Sequence, residues 1–460
     1  MKSLRFLAAA LLALVLSAFP GVAQTARPNI IFILADDLGL GDVGCYGNKV
    51  VQTPHIDRLA AEGMQFLRAY SGSAVCAPSR SVLMTGKHSG HCNRRANQSK
   101  NGLIPMAPGE VTVAEALKQA GYATGGFGKW GLGNPGTTGV PEKQGFDLWF
   151  GYYDQVHAHS YFPAYLVRNS ERVPLPGNEG GKTGQYSHEL IVGETLNFIE
   201  ANQARPFLVY AAWTLPHGKH EIPSDAPYSD RPWPQPVKNH AAMITRLDAD
   251  IGRLLQKLKE LGLEERTLIL FSSDNGADGP GVQTFNGTAG LRGRKRHLYE
   301  GGIRAPFIAR WSGKIQPGTK SELLTSQVDF LATAADLAGA ATPDETDGIS
   351  ISPTLLGQPQ TAKHDHLYWE IYEGPVPFQQ AVRLGDCKGY RTALKGPLEL
   401  YDLRKDPAEG ANVAAQHPEI VEKITSLMAA EHVRSEHWDP VDLPGDKPAK
   451  KRAAKQAREK

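Results

Sequence analysis

The stretch RPNIIFILADD, Arg27–Asp37, gives the strongest single indication of how this chain folds. Its apolar run, residues 29–34, is short and continuous, as is typical of a strand buried on both faces. The run ends abruptly at Asp36 and Asp37. The sequence therefore predicts a strand inside a helix-covered sheet, with two carboxylates at its carboxyl end.

The same arrangement recurs along the chain. A buried strand over Phe207–Ala212 precedes His217, the strand in RTLILFSSDNG ends in Asp274 and Asn275, and a weaker strand in ATGGFGKWGLG ends at Lys129. Helical patterns separate these strands, in TPHIDRLAAEGMQF, in TVAEALKQAGY and in an amphipathic segment over residues 239–261. The alternation predicts an α/β fold with a large, mostly parallel sheet sandwiched by helices.

Beyond residue 365 the pattern changes to short, half-alternating strands followed by a helix near residues 418–432. We assign residues 24–364 to the main α/β domain and residues 365–445 to a small C-terminal subdomain, an antiparallel sheet plus a helix. Residues 446–460 form a basic tail without an apolar face. That tail is expected to be disordered and solvated, with attraction to a polyanion as the alternative.

The N-terminus has the pattern of a signal peptide over residues 1–23. Lys2 and Arg5 precede an apolar run, Phe6–Phe19, and small residues follow up to a cleavage point near Ala23. An uncleaved anchor is the alternative, but the run is shorter than the roughly 20 residues of a spanning helix. We therefore expect an exported protein, periplasmic or secreted, without stable membrane insertion.

Composition excludes some other classes of protein. With 460 residues and a formal net charge of +2, the chain has no basic excess for a nucleic-acid partner. Four cysteines in a chain of this length do not make a disulfide scaffold. Cys45 and Cys92 are either small buried hydrophobes or one incidental bridge, and the sequence leaves both open.

The polar residues at the strand ends point to a metal site. The carboxyl ends of strands in an open α/β sheet form the edge where ligands bind. Asp36, Asp37, Asp274 and Asn275 would supply hard oxygen ligands there, which suit Ca²⁺ or Mg²⁺. Without a cation, three adjacent carboxylates would repel one another and raise their own pKa values.

Basic residues complete this constellation. Arg80, Lys129, Lys295 and His217 would surround a small anion beside the metal. A divalent ion together with lysine and arginine side chains stabilises group transfer from phosphate or sulfate esters.

The segment CAPSR followed by LMTG, within Cys76–Gly86, resembles the signature of the formylglycine-dependent type I sulfatases of the alkaline phosphatase superfamily. The likeness continues in order through GKWGLG, LPH, FSSDNG and KRHLYEGGIRAPFIARW to LYDLRKDPAE, and so covers nearly all of the mature chain. The resemblance implies an alkaline phosphatase-like fold and an arylsulfatase-like sulfuric ester hydrolase.

The resemblance also implies a cofactor and a maturation partner. Cys76 would be oxidised to formylglycine by a formylglycine-generating enzyme or an anaerobic sulfatase-maturating enzyme, and the aldehyde would hydrate to a gem-diol that attacks sulfur. One Ca²⁺ would be bound by Asp36, Asp37, Asp274, Asn275 and the modified Cys76. Arg80 would hold the diol, and Lys129 and Lys295 would neutralise the sulfate oxygens. Lys295 or His217 would protonate the leaving alcohol.

One position departs from the family pattern. Many members carry a histidine two residues after the lysine of GKW, as the base that regenerates the aldehyde, and this chain has Gly131 there. Our hypothesis is that His157 or His159 takes over that role.

The substrate is expected to be a sulfated carbohydrate, with a sulfate of galactose or N-acetylgalactosamine as the specific hypothesis. His157, His159, Arg168 and His297 are the predicted substrate contacts. Aromatic side chains that could stack on sugar rings are Trp149, Tyr152, Tyr153, Tyr161 and Trp213.

Two other functions remain open at this point. A phosphomonoesterase or phosphodiesterase on the same scaffold would use Thr or Ser as nucleophile and two zinc ions, which Cys76 and a single oxygen-rich site argue against. A non-catalytic sulfated-glycan-binding protein would need no modifiable cysteine.

Overall fold

The computed structural model describes residues 27–99 and 102–438. The predicted signal peptide and the predicted basic tail lie outside the described residues. Sixteen strands are found in the described part of the chain: β1 (Asn29–Ala35), β2 (Met64–Phe66), β3 (Ala69–Tyr70), β4 (Ala123–Lys129), β5 (Leu148–Tyr152), β6 (Tyr165–Arg168), β7 (Glu171–Pro174), β8 (Phe207–Ala212), β9 (Thr267–Ser273), β10 (Phe307–Arg310), β11 (Thr319–Ser321), β12 (Thr325–Ser326), β13 (Leu367–Ile371), β14 (Gln379–Leu384), β15 (Cys387–Arg391) and β16 (Glu399–Asp402).

The α-helices of the same residues are α1 (Pro54–Ala61), α2 (Cys76–Thr85), α3 (Val113–Gln119), α4 (Ser187–Ala201), α5 (Gln235–Glu260), α6 (Val282–Phe285), α7 (Glu300–Ile303), α8 (Asp329–Ala338), α9 (Ser352–Leu355) and α10 (Pro418–Ala430). Short 3₁₀ turns lie at Leu40–Asp42, Gly44–Tyr46, Pro141–Lys143, His157–His159, Pro176–Gly181, Glu264–Arg266 and Ala414–Gln416.

The main sheet has ten strands in the order β11-β2-β10-β9-β1-β8-β4-β5-β6-β7. Its centre, from β9 to β5, is parallel, and antiparallel pairs flank that centre on both sides. This confirms the predicted mostly parallel α/β sheet. Because all five central strands run the same way, their carboxyl ends lie along one edge.

Both faces of this sheet are covered, as the continuous apolar run of β1 predicts. Ile31 and Ile33 pack into one core with α1, α4 and α5, whereas Ile30, Phe32 and Leu34 pack into the other with α2, α3 and α8. Successive side chains of a strand point to opposite faces, so a strand between two helical layers is buried on both sides and is mostly apolar.

The C-terminal subdomain is confirmed as a four-stranded antiparallel sheet, β13-β14-β15-β16, with α10 on one face. Its other face packs against Leu298 and Ile303 of the main domain. The boundary between residues 364 and 365 stays a prediction.

Two predicted helices differ from the structure at their ends. The helix predicted over TPHIDRLAAEGMQF ends at Ala61, and its last three residues form β2 instead. The backbone turns at Gly63, where a Cβ would lie 2.2 Å from the carbonyl oxygen of Ala309 on β10, so close strand pairing replaces the last helical turn. The amphipathic helix α5 starts at Gln235, four residues earlier than predicted, because Pro236 occupies its first turn.

None of the helices within residues 27–99 and 102–438 is both long and apolar enough to cross a bilayer. All four cysteines are free thiols, so Cys45 and Cys92 do not form the bridge that the sequence left open.

Replacing Thr112 by alanine should lower the free energy of unfolding by about 1 kcal/mol. The Thr112 hydroxyl accepts a hydrogen bond from the backbone N–H of Glu115, and the Glu115 carboxylate accepts one from the N–H of Thr112, forming a capping box at the start of α3. Urea denaturation would measure the change as a shift of the midpoint at constant m. Thr425→Ala, on the exposed face of α10, is the matched control and should change stability by less than about 0.5 kcal/mol. Equal losses in both variants would contradict the assignment of the cap.

Candidate active site

The polar side chains predicted at the carboxyl edge of the sheet lie together there. In the parallel pair β1–β9, Ala35 is in register with Ser273, so the residues that follow the two strands are neighbours. Five other side chains reach the same edge from β4, from the loop after β8, from α2 and from the loop before α7. The residues gathered in this way are Asp36, Asp37, Cys76, Arg80, Lys129, His217, Asp274, Asn275 and Lys295.

Cys76 is the first residue of α2, and its thiol points into the carboxylates. The Cys76 Sγ lies 3.5 Å from Asp36 Oδ1, and the side chain is almost completely buried. All ten residues of α2 are buried, and Gly86 ends the helix in the left-handed conformation. The helix is therefore a fixed support that sets the position of the thiol. Burial also raises the pKa of the Cys76 thiol.

Arg80 lies one helical turn after Cys76, on the same face of α2. Its guanidinium donates to Asp274 Oδ2 through Nε at 3.1 Å and Nη2 at 2.8 Å, and Nη2 lies 3.2 Å from Asp36 Oδ2. Its Nη1 donates to the carbonyl oxygen of Lys129. Arg80 therefore connects the ends of β1, β9 and β4 to the helix that carries the thiol.

Two buried lysines and a histidine complete the cluster. Lys129 Nζ donates to Asp36 Oδ2 at 2.8 Å, and Lys295 Nζ donates to Asp37 Oδ2 at 2.7 Å. His217 Nε2 lies 3.6 Å from the same Asp37 oxygen. Asp37 has a φ of 68°, a conformation that few non-glycine residues adopt, and this backbone turn directs its carboxylate to the cluster.

The charges of these groups shift one another's pKa values. Burial alone would raise the pKa of the Asp36 carboxyl, but the basic groups around it, led by His217 and Lys129, hold that pKa well below its usual value. Burial and the nearby charge of Asp36 raise the pKa of Asp274 to about 6. Burial lowers the pKa of His217 to about 3. The nearby cations therefore outweigh burial at Asp36, whereas at Asp274 burial outweighs them.

The donor set fits a hard divalent cation. The Asn275 side chain donates its Nδ2–H to Asp37 Oδ1 at 2.8 Å, while its Oδ1 is buried without a hydrogen-bond partner. A buried amide oxygen without a donor is an available metal ligand. Ligand atoms of Asp36, Asp37, Cys76 and His217 also lie within 4.8 Å of one another. Asp274 is turned towards Arg80 and the backbone N–H of Asp37.

A cleft of about 320 Å³ opens from this cluster to the surface. His159 lines it, with its ring centroid 4.7 Å from that of His217. The lining residues that the sequence analysis did not identify are Gly218, Lys219, His220, Asp278, Gly279 and Arg296. Each is within four positions of an identified residue, and that proximity in sequence is the only signal that could have indicated them.

Three predicted substrate contacts have other surroundings. Arg168 forms an ion pair with Glu194 of α4 and lies over the ring of Phe150. His157 packs between the rings of Tyr152 and Tyr165. His297 directs its Nδ1 to the carbonyl oxygens of Arg294 and Lys295. Among these predicted contacts, only His159 lines the cleft.

The aromatic side chains considered for sugar stacking belong to the core. All five are at most 2% exposed: Trp149, Tyr152, Tyr153, Tyr161 and Trp213. Their rings pack between the sheet and its helices, so the hypothesis of a stacking surface at these residues is wrong.

The surroundings of Gly131 leave no space for a side chain at this position. Its φ is 80°, which favours glycine, and a Cβ at this position would lie 2.2 Å from Nε2 of Gln155. That Nε2 is itself buried without a hydrogen-bond partner. The Gln155 side chain therefore fills the space into which a side chain at position 131 would point.

Comparison with known proteins finds family models and relatives that cover most of the chain. A family model described as Sulfatase matches residues 28–340, and one described as N-sulphoglucosamine sulphohydrolase, C-terminal, matches residues 292–434. Arylsulfatase A of Homo sapiens is 34% identical, over 90% of this chain and 89% of that protein.

A bacterial relative and a solved structure agree with this. The N-acetylgalactosamine-6-O-sulfatase of Bacteroides thetaiotaomicron is 31% identical, over 89% of this chain and 94% of that protein. The crystal structure of Ps i-CgsB in complex with k-i-k-neocarrahexaose superposes with a TM-score of 0.79 at 25% identity, covering 94% of this chain and 98% of that chain.

Proposed function

The chain belongs to the sulfatase family of sulfuric ester hydrolases, and on that premise we propose that it removes sulfate from a sulfated carbohydrate, using a formylglycine made from Cys76 and one bound Ca²⁺. The observation that carries the proposal is the position of the Cys76 thiol. It lies at the end of a buried helix, 3.5 Å from Asp36 and within a ring of cationic side chains. A cysteine that served only to fill the core would not need carboxylates and lysines around its sulfur.

Asp36, Asp37, Asp274 and Asn275 would hold the calcium ion, with the modified residue 76 beside them. When bound, the ion would lower the pKa of a ligating hydroxyl group and neutralise negative charge on the substrate. The aldehyde hydrate of residue 76 would supply the attacking oxygen. The orphaned Asn275 Oδ1 supports this ligand set.

The remaining residues would bind the sulfate group and control protons. Arg80 would orient residue 76, because it is fixed between two carboxylates one turn along the same helix. Lys129 and Lys295, both buried, would neutralise the sulfate oxygens. Lys295 or His217 would protonate the leaving alcohol oxygen as the ester bond breaks.

The space beside the cleft is large enough for a saccharide longer than one sugar. A second cavity of about 700 Å³ shares Lys219 and His220 with the cleft and is also lined by Phe162 and Lys182. A sugar ring next to the sulfate could extend into this space. Because one relative is an N-acetylgalactosamine-6-O-sulfatase and one structural neighbour was solved with a neocarrahexaose, a sulfate of galactose or N-acetylgalactosamine is the proposed unit.

Export to the periplasm or the medium, directed by residues 1–23, is part of the proposal. So is an encounter with a formylglycine-generating or anaerobic sulfatase-maturating enzyme. The proposal also keeps residues 24–364 as the catalytic domain and 365–445 as its C-terminal subdomain.

The mass of the tryptic peptide ending at Arg80 tests the proposal. Protein purified from its native host should yield this peptide about 18 Da lighter than its cysteine form, with an aldehyde that a hydrazide traps. The same protein should hydrolyse an aryl sulfate and bind one calcium ion. An unmodified thiol, in a host that modifies its other sulfatases, would contradict the mechanism and favour a glycan-binding protein. Two bound zinc ions with turnover of phosphate esters would favour the phosphatase.

Replacing His159 by alanine should lower kcat about 100-fold if this residue acts in place of the missing histidine at position 131. His159 lies at the cleft beside His217, and burial followed by the charge of Lys129 lowers its pKa, so it is neutral and able to accept a proton at neutral pH. Steady-state turnover of an aryl sulfate would measure the effect. His157→Ala, two positions earlier but packed between tyrosines, is the control and should keep its kcat. An unchanged kcat in His159→Ala would remove the residue from this role.

A further inference from the structure

A second cluster of metal-ligating side chains lies where the end of α2 meets the C-terminal subdomain. His88 and His91 follow α2, and Glu431 directly follows α10. One ligand atom from each of these three residues lies within 4.8 Å of the other two. Asp347 and His366 adjoin them at a cavity of about 210 Å³. The five side chains are between 13% and 29% exposed, so the cluster is accessible to an ion from solvent.

We propose that His88, His91 and Glu431 form a zinc site that fastens the end of α2 to the C-terminal subdomain. Bonds of 2.0–2.1 Å in a tetrahedral zinc site place the ligand atoms about 3.3 Å apart. Glu431 Oε2 lies 3.0 Å from His88 Nε2 and 3.8 Å from His91 Nε2. Both separations are within about half an ångström of that value, but the rings of His88 and His91 are stacked with their centroids 4.0 Å apart, so one ring must rotate to turn its Nε2 towards the shared ion.

The ligands are oriented by a second set of residues. His91 directs Nδ1 to Asp347 Oδ1 at 2.9 Å, which leaves Nε2 for the ion. His366 Nε2 lies 2.9 Å from Glu431 Oε1, the oxygen opposite the proposed ligand atom. A histidine that ligates through one nitrogen and donates to a carboxylate through the other is the usual arrangement in zinc sites. Imidazole and carboxylate together favour zinc over calcium.

Metal binding requires one exchange of hydrogen bonds. The backbone N–H of Gly90 donates to His88 Nδ1 at 3.1 Å, which leaves the ring proton on Nε2. When Nε2 binds the ion, the proton must reside on Nδ1, and the contact with Gly90 is given up. The three protein ligands would leave the fourth position to a water molecule.

Zinc titration of the full-length, calcium-loaded protein tests this site. Equilibrium dialysis followed by elemental analysis should find one tightly bound Zn²⁺ in the wild type, and excess Zn²⁺ should raise Tm by several degrees. His91→Gln and Glu431→Gln should each weaken this binding at least about 100-fold and abolish the rise in Tm. His364→Gln is the matched control, because His364 lines the same cavity but is bonded to Asp329, and it should bind zinc as the wild type does.

A spectroscopic measurement on the wild type does not depend on the folding of any variant. Co²⁺ in place of zinc should give the visible absorption of a four-coordinate ion, and added Zn²⁺ should remove it. Wild-type protein that binds Zn²⁺ no more tightly than the His91→Gln and Glu431→Gln variants would overturn the proposal. So would a cobalt spectrum typical of six-coordinate, hydrated ions. In either case the cluster is a set of hydrogen bonds and ion pairs only.

Discussion

Cys76→Ala protein should fold and bind calcium but lose turnover of sulfate esters by a factor of about 10⁴ or more. The proposed attacking oxygen is made from this side chain, whose sulfur lies within the carboxylate cluster. Removing the sulfur also removes a buried contact with Asp36, but the cations that hold this carboxylate remain. Steady-state kinetics with an aryl sulfate, together with calcium content and thermal melting, would separate catalysis from folding.

Cys92→Ala is the matched control for that variant. Cys92 is as deeply buried as Cys76, but it packs with Val82 and Val328 at the far end of α2. Its removal should cost about 1–2 kcal/mol of stability and leave kcat unchanged. Turnover by Cys76→Ala that remained within tenfold of the wild type would rule out residue 76 as the source of the nucleophile.

Lys388→Met should lower the free energy of unfolding by about 3–5 kcal/mol. Lys388, on β15, is fully buried, and its Nζ lies 3.1 Å from Glu300 of α7 and 3.0 Å from Glu409. Methionine keeps the volume but leaves two buried carboxylates without their shared cation. Urea denaturation monitored by fluorescence would measure the loss. Lys405→Met, which removes an exposed pair with Asp402, is the control and should change stability by less than about 0.5 kcal/mol.

The pH dependence of stability provides a second readout for Lys388. Burial would raise the pKa of Glu300, but Lys388 and two arginines lower it from 4.5 to about 2. A carboxyl group whose pKa is depressed by folding stabilises the protein at neutral pH, and this contribution is lost as the pH falls from 4.5 towards 2. The wild type should therefore lose more stability across that interval than Lys388→Met. Parallel pH profiles would indicate that the lysine does not interact with Glu300 in solution.

The sequence predicts those strands and helices of the fold that have a clear pattern of apolar and polar residues. The strands β1, β8 and β9 are buried throughout and mostly apolar because helices cover both faces, and their polar ends converge because the strands are parallel. The strands β6 and β7, at one end of the sheet, are short and partly exposed, so their sequence carries no comparable signal. Helix α4 is likewise not predicted, although it covers part of one face of the sheet.

The site residues could be predicted from the sequence where they belong to recognisable motifs. They could not be predicted where only the three-dimensional path of the chain brings them to the site. Cys76, Arg80 and the four proposed oxygen ligands stand in recognisable segments, and the structure gathers them at one edge. Arg168 follows the cleft-lining His159 along the chain, but it lies on β6, which runs antiparallel to β5, and there it pairs with Glu194 of α4. Gln155, which occupies the space next to Gly131, does not belong to any recognisable sequence motif.

The burial of the whole of α2 has a consequence for the order of events during biosynthesis. An enzyme that modifies residue 76 must accommodate the surrounding CAPSR segment in its own active site. In the finished fold that segment is helical, lies between the sheet and α8, and has no exposed residue. The proposed modification would therefore have to be completed while this part of the chain is still unstructured. On the proposed mechanism, the rate at which the chain folds would set an upper limit on the fraction of molecules that can become active.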